Sequence, residues 1–269
     1  MKKGILIAVT AVASLAVGIG GTYYYMNSNN SSTTAKVSSK TNKEENKKTT
    51  SLVNLDVYSD LVNNNLNKLM DYYNNCADTS GTYLKSQKIS NNDIDNSIAY
   101  QIVAQKLDAN KNAISEADWN KEIENLFGKD YKYNPTSFNT SEFCTSHVYN
   151  QSTKQYDRRE PECGCTSGPN SFTKIYITKA ELQGDTMSIY LKALFPDRSF
   201  SKNSEGYVKY YSDPERTKEI NLDFEFGDEK DFLEPMYSVK NVLKGGSFKI
   251  TMKKYDNDNY YFVSSEPIN

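Results

Sequence analysis

The chain reads as an α+β protein: an N-terminal transmembrane helix, then three helices packed on a curved antiparallel sheet. Three observations predict this. An uncharged apolar run opens the chain, apolar residues then recur at three- and four-residue steps, and beyond about residue 141 the period changes to two.

Lys2 and Lys3 precede "GILIAVTAVASLAVGIGGTYYYM", which carries no charge from Gly4 to Met26. About 20 apolar residues cross a bilayer core, so the run is long enough to span it. The lysines belong in the cytoplasm, and Tyr23, Tyr24 and Tyr25 suit the outer interface. Residues 1–26 therefore read as a signal-anchor of a single-pass membrane protein, with the C-terminal domain extracytoplasmic. The rival is a cleavable signal peptide with Ser14-Leu15-Ala16 at the cleavage site. Val17 and Ile19 continue the run without a polar break and favour the anchor.

Residues 27–50 contain one aliphatic side chain larger than Ala, Val37. A segment with nothing to bury cannot offset its ordering entropy, so it reads as a Ser/Thr/Asn/Lys-rich disordered tether. Residues 51–269 should then form one extracytoplasmic α+β domain.

Three helices open that domain. Leu55, Tyr58, Val62, Leu66, Leu69 and Tyr73 trace one stripe, and three residues further along it lies Cys76. The second helix is expected from Ser90, where Ser90 and Asp93 form a capping box flanked by Ile89 and Ile94. The third is expected from Ser115, with Asp118 completing the box and Ile114 and Trp119 the hydrophobic staple. Gly128 stops it.

Strands follow. "FTKIYITKAEL" (172–182) and "TMSIYLKALF" (186–195) flank Gln183-Gly184-Asp185, a turn-type connection. "INLDFEF" (220–226) alternates apolar and polar, and "FKITMKK" (248–254) joins "YYFVSSE" (260–266) through Asp256-Asn257-Asp258-Asn259.

Charge excludes one class of ligand. Residues 1–51 hold seven lysines and two glutamates of the chain's 32 basic and 34 acidic residues. The rest thus carries 25 basic against 32 acidic groups, a net of −7 that repels nucleic acid. Arg158, Arg159, Arg198 and Arg216 are the chain's arginines, a lysine-heavy usage typical of AT-rich bacterial genomes.

Cys144, His147, Cys163 and Cys165 have zinc-clip spacing, but that reading needs reduced thiolates outside the cell and leaves Cys76 unpaired. An even number of cysteines in an exported domain reads as disulfides. Cys163–Cys165 closes a cramped ring, so Cys144 pairs with one of the two and Cys76 with the other. A polar turn between Cys144 and Cys163 favours Cys144–Cys163 and Cys76–Cys165, with His147 a bystander on a strand surface.

"DANKNAISEADW" (108–119) nearly spells a calcium loop through Asp108, Asn110 and Asn112. Ala113 replaces the turn glycine, however, and Trp119 the bidentate glutamate. Asp223 and Glu225 share a strand face, as wet-face polar residues do, and Tyr207, Tyr210 and Tyr211 are candidates to line a groove. No catalytic, metal or cofactor signature stands out.

The three helices and the closing hairpin "SFKITMKKYDNDNYYFVSSE" resemble the cystatin-like, nuclear-transport-factor-two-like cone of exported bacterial domains. The resemblance implies a sheet wrapped on helices around a pocket used for ligands, dimerisation or, rarely, catalysis; it transfers no site residue. The function expected is a non-enzymatic, membrane-anchored binding or assembly module at the bacterial cell surface, taking a protein partner or a second copy. The alternative is a surface enzyme or solute-binding domain using the cone's pocket.

Overall fold

Within 174–196 and 246–267 nearly every second residue is apolar, and the computed structural model turns that alternation into long antiparallel strands. It describes residues 51–70, 80–107, 111–135, 147–159, 173–197, 209–221 and 239–268, all within one compact unit, Lys48–Asn269.

Strand β1 (Leu52–Leu55) leads into α1 (Asp60–Met70), α2 (Ser80–Tyr83), β2 (Ile89–Ser90), α3 (Asn96–Lys106), β3 (Ala113–Ser115) and α4 (Glu116–Phe127). There follow β4 (His147–Asn150), β5 (Gln155–Arg158), β6 (Lys174–Gln183), β7 (Thr186–Pro196), β8 (Tyr210–Tyr211), β9 (Glu219–Ile220), α5 (Val239–Val242), β10 (Gly246–Asp256) and β11 (Asn259–Pro267). The main sheet has eight strands in the order β1-β6-β7-β10-β11-β2, with β8 and β9 added beside β7. A second sheet runs β3-β5-β4.

The expected fold class needs correction. The described residues are mostly antiparallel sheet, and the helices among them are few and short, the longest being the 12-residue α4. Among the described residues no helix is long and apolar enough to cross a membrane, so the membrane and signal-anchor expectation finds no support there. The proposed transmembrane helix, residues 4–26, lies outside the described residues. The disulfide expectation fares likewise. Cys76, Cys144, Cys163 and Cys165 all fall outside the described residues, and no disulfide occurs among those described.

Two helix starts also differ from expectation, for local reasons. Leu55 belongs to β1, not to a helical stripe, because Leu52–Leu55 pairs with Ala180–Gln183 of β6. The chain turns at Asp56, whose carboxylate accepts from the Tyr58 amide, before α1 begins at Asp60. At Ser90 the reciprocal box forms, with the Ser90 amide and hydroxyl both donating to Asp93, but it encloses one 3-10 turn (Asn91–Asp93). Asp95 is the cap of α3, accepting from the Ser97 amide at 2.7 Å. Ser115 does cap α4, accepting from the Asp118 amide at 3.1 Å, and Gly128 ends that helix at φ 84°. A Cβ at Gly128 would stand 2.6 Å from the Tyr261 ring, so the position requires glycine twice over.

Both long hairpins form. One sheet face carries rows such as Ala180, Ile189 and Ile250, or Ile177, Leu191 and Phe248, set side by side by register. These pack into a single core with Val62, Leu66 and Leu69 of α1 and Trp119, Ile123 and Leu126 of α4. The small sheet adds Tyr156, which stacks on Trp119 with ring centroids 3.6 Å apart. Each of these residues loses nearly all its exposure, so the inner face is filled by side chains.

Candidate functional site: an open sheet edge and two polar grooves

His147 is not a surface bystander. It is fully buried on β4, its Nε2 stands 3.3 Å from the Lys111 carbonyl, and its own carbonyl accepts from the Tyr100 hydroxyl. The Lys111 carbonyl is an acceptor, so Nε2 holds the proton. The ring thereby holds the segment before β3 against β4. No group of three or more His, Cys, Asp or Glu among the described residues is placed to hold a metal.

The calcium near-miss resolves partly. Asp108 and Asn110 lie outside the described residues, but the Asn112 carbonyl accepts from the Arg158 amide at 2.8 Å, and the Asp118 carboxylate is engaged by the Ser115 hydroxyl at 2.8 Å. Asp223, Glu225 and Tyr207 also lie outside. Tyr210 lines no groove: it is 1% exposed, packed with Leu194 and Val242.

Two concavities occur among the described residues. The first, about 330 Å³ and open, is lined by Asn64, Asn65, Asp256, Asn257, Asp258 and Asn259, where the β10–β11 turn meets α1. Asn65, 2% exposed, builds it: its Nδ2 donates to the Leu61 and Asp258 carbonyls, and its Oδ1 accepts from the Tyr260 amide, each at 2.8 Å. Lys68, one turn on, donates to Asn259 Oδ1 at 3.0 Å and to the Asn125 carbonyl at 3.4 Å. Desolvation lowers the Lys68 ammonium to about 8, with Lys106 adding to the effect and Glu122 and Asp256 opposing it. The second groove, about 230 Å³, lies between Asn91, Asp130, Lys253 and Tyr261. Both are open concavities lined mainly by polar side chains.

The outer sheet face bears a charged row. Lys179 pairs with Glu181, and the Tyr190 ring lies 5.3 Å from the Lys179 ammonium and 6.0 Å from that of Lys249. Lys249 in turn meets Glu266 at 3.8 Å, and Lys88 meets the same carboxylate at 3.5 Å. The hydrogen bond from Lys179 holds the Glu181 carboxyl below the usual carboxylate range. Every charge in this row has a partner, so it reads as a self-satisfied solvent face.

The sheet's first edge behaves differently. Five large apolar residues are exposed among those described, and three of them gather here: Leu52 at 56%, Val53 at 48% and Tyr58 at 51%. Strand β1 ends the sheet and bonds to β6 on one side. It carries no charge and no proline, the usual devices that blunt an edge. Reading Leu55 and Tyr58 as helical hid this feature, although the alternation Val53, Leu55, Val57 was the signal for a strand. No family model, curated protein or solved structure matches this chain.

Proposed function

We propose that the domain is a non-enzymatic binding or assembly module that receives an extended strand of a protein partner along β1. The observation that carries this reading is the uncharged, exposed apolar edge of the main sheet. Unpaired amides and carbonyls along such an edge supply affinity by strand addition, and the alternate side chains supply selectivity.

The inner face of the sheet is filled by residues of α1, α3 and α4, which favours the edge over an interior pocket as the place for a ligand. The charged outer row is satisfied by its own ion pairs, whereas β1 gathers three of the five exposed large apolar residues among those described.

Amide exchange tests the proposal. In dilute chain the β1 amides facing away from β6 exchange fast. Neutral synthetic peptides with alternating Val or Leu and Thr slow them, and the same peptides leave β2 untouched. No protection at 52–55 by any such peptide, nor by a second copy, removes the reading.

A further inference from the structure

We infer that the occupant of the β1 edge is a second copy of this chain, joined by antiparallel pairing of β1 with itself about a two-fold axis near Val53. This rests on the reading of β1 as a strand-accepting edge and goes further by naming the partner.

Register places Val53 beside Leu182 and Leu55 beside Ala180, so Val53 and Leu55 lie on the face of the sheet that carries the core. Leu55, Val57, Leu61 and Leu182 are partly buried and pack on that core, with Val53 at its open rim. The core is therefore left unfinished at this edge. An antiparallel copy sets Val53 next to its own equivalent and runs the two rims together, and each contact occurs twice, as a two-fold interface requires.

Charge permits this. From Ser51 to Leu55 the strand is neutral, and the first charge is Asp56. At about 3.3 Å per residue, Asp56 stands about 10 Å from the axis and its copy about 10 Å on the other side, too far to repel strongly in salt.

The neighbouring tether fits less well. Residues 27–50, next to β1 in sequence, hold one aliphatic residue larger than Ala and cannot complete an apolar rim. The far edge of the sheet does not compete. Strand β2 has two residues and leads into the Asn91–Asp93 turn, the Lys88–Glu266 pair guards it, and α4 packs on β11. A two-fold contact uses β1 on both copies, so pairing through it closes at two copies and does not propagate into a fibre. A four-residue strand with a small rim buries less than the roughly 1,200 Å² of stable complexes, so the pair is weak and concentration-dependent.

The experiment is sedimentation of the full chain in density-matched non-ionic detergent, with amide exchange at 52–55 read in parallel. Wild type should move from one-chain to two-chain mass as concentration rises through the micromolar range, with protection appearing at β1 in step. Val53→Lys and Val53→Glu each place like charges face to face and should stay at one-chain mass at every concentration, with melting temperatures near wild type. Mixing the two variants in equal amounts should restore the two-chain species, because Lys then faces Glu. Lys88→Ala, on the far edge, should pair like wild type. One-chain mass for wild type at all concentrations, pairing by Val53→Lys alone, or a mixture that fails to pair overturns the inference. If wild type stays single while neutral peptides protect 52–55, the strand-accepting edge stands and the second copy falls. If neither protects, both fall.

Discussion

The Tyr260 amide donates a 2.8 Å hydrogen bond to Asn65 Oδ1, joining α1 to the first turn of the last strand across 195 positions of sequence. The same side chain donates to the Asp258 carbonyl, so one buried amide grips the chain on either side of Asn259, where the turn enters β11. A buried side chain with all its hydrogen-bonding groups engaged is costly to remove, because its partners lose water and gain nothing.

Asn65→Ala should destabilise the domain by about 2–4 kcal/mol, read as a fall in the urea midpoint at constant slope. Asn65→Asp keeps an acceptor for Tyr260 but sets a carboxylate against the Leu61 and Asp258 carbonyls. It should be at least as damaging. A loss under about 0.5 kcal/mol for both would show that water replaces the clamp.

Lys68 supplies a pH signature. Its folded value, about 8, lies below the ordinary lysine value of 10.5. Between those two pH values the unfolded chain binds more protons than the folded one, so stability rises with pH across that window. Below pH 8 the penalty for burying the ammonium is fully present, and above 10.5 it is gone. The stability difference between wild type and Lys68→Met should therefore shift toward wild type from pH 8 to 10, by about 1–2 kcal/mol after allowing for partial exposure. A flat difference would sink the assignment.

His147→Ala should cost about 2–4 kcal/mol, since it opens a cavity at a fully buried site and strips the Lys111 carbonyl of a donor. Thermal melts of the two proteins decide this. An unchanged melting temperature would return His147 to the status of a bystander.

Tyr83 is the opposite case. Its ring is 0% exposed and packs edge-on to Phe262 at 5.0 Å, while its hydroxyl has no hydrogen-bond partner among the described residues. Burial pushes that hydroxyl far above the usual tyrosine range. Tyr83→Phe removes a desolvated polar atom and keeps the ring, so it should be neutral or stabilising by up to about 1 kcal/mol. A loss above 1 kcal/mol would reveal a partner for the hydroxyl.

Local sequence alone determined the two long hairpins, the Ser115 cap and its helix, and the Gly128 stop. In each, the deciding interactions lie within a few residues: period-two alternation beside a turn, a serine three positions before an aspartate, a glycine where φ must be positive. The Ser90 box was equally legible and still misled, because a box specifies a turn and not the length of the helix after it.

Tertiary structure decided the rest. Val53, Leu55 and Val57 alternate like a strand, while Leu55, Tyr58 and Val62 step like a helix. The choice fell to β6, which offered ladder partners from Ala180 to Gln183. His147 lies in a polar stretch and reads as exposed until the Tyr100 hydroxyl and the Lys111 carbonyl close around it. The Asn65 clamp joins residues nearly 200 positions apart, and no local pattern encodes such a meeting. Periodicity tells a residue which face it occupies; what covers that face, or fails to cover it as at β1, depends on partners that folding brings from elsewhere in the chain.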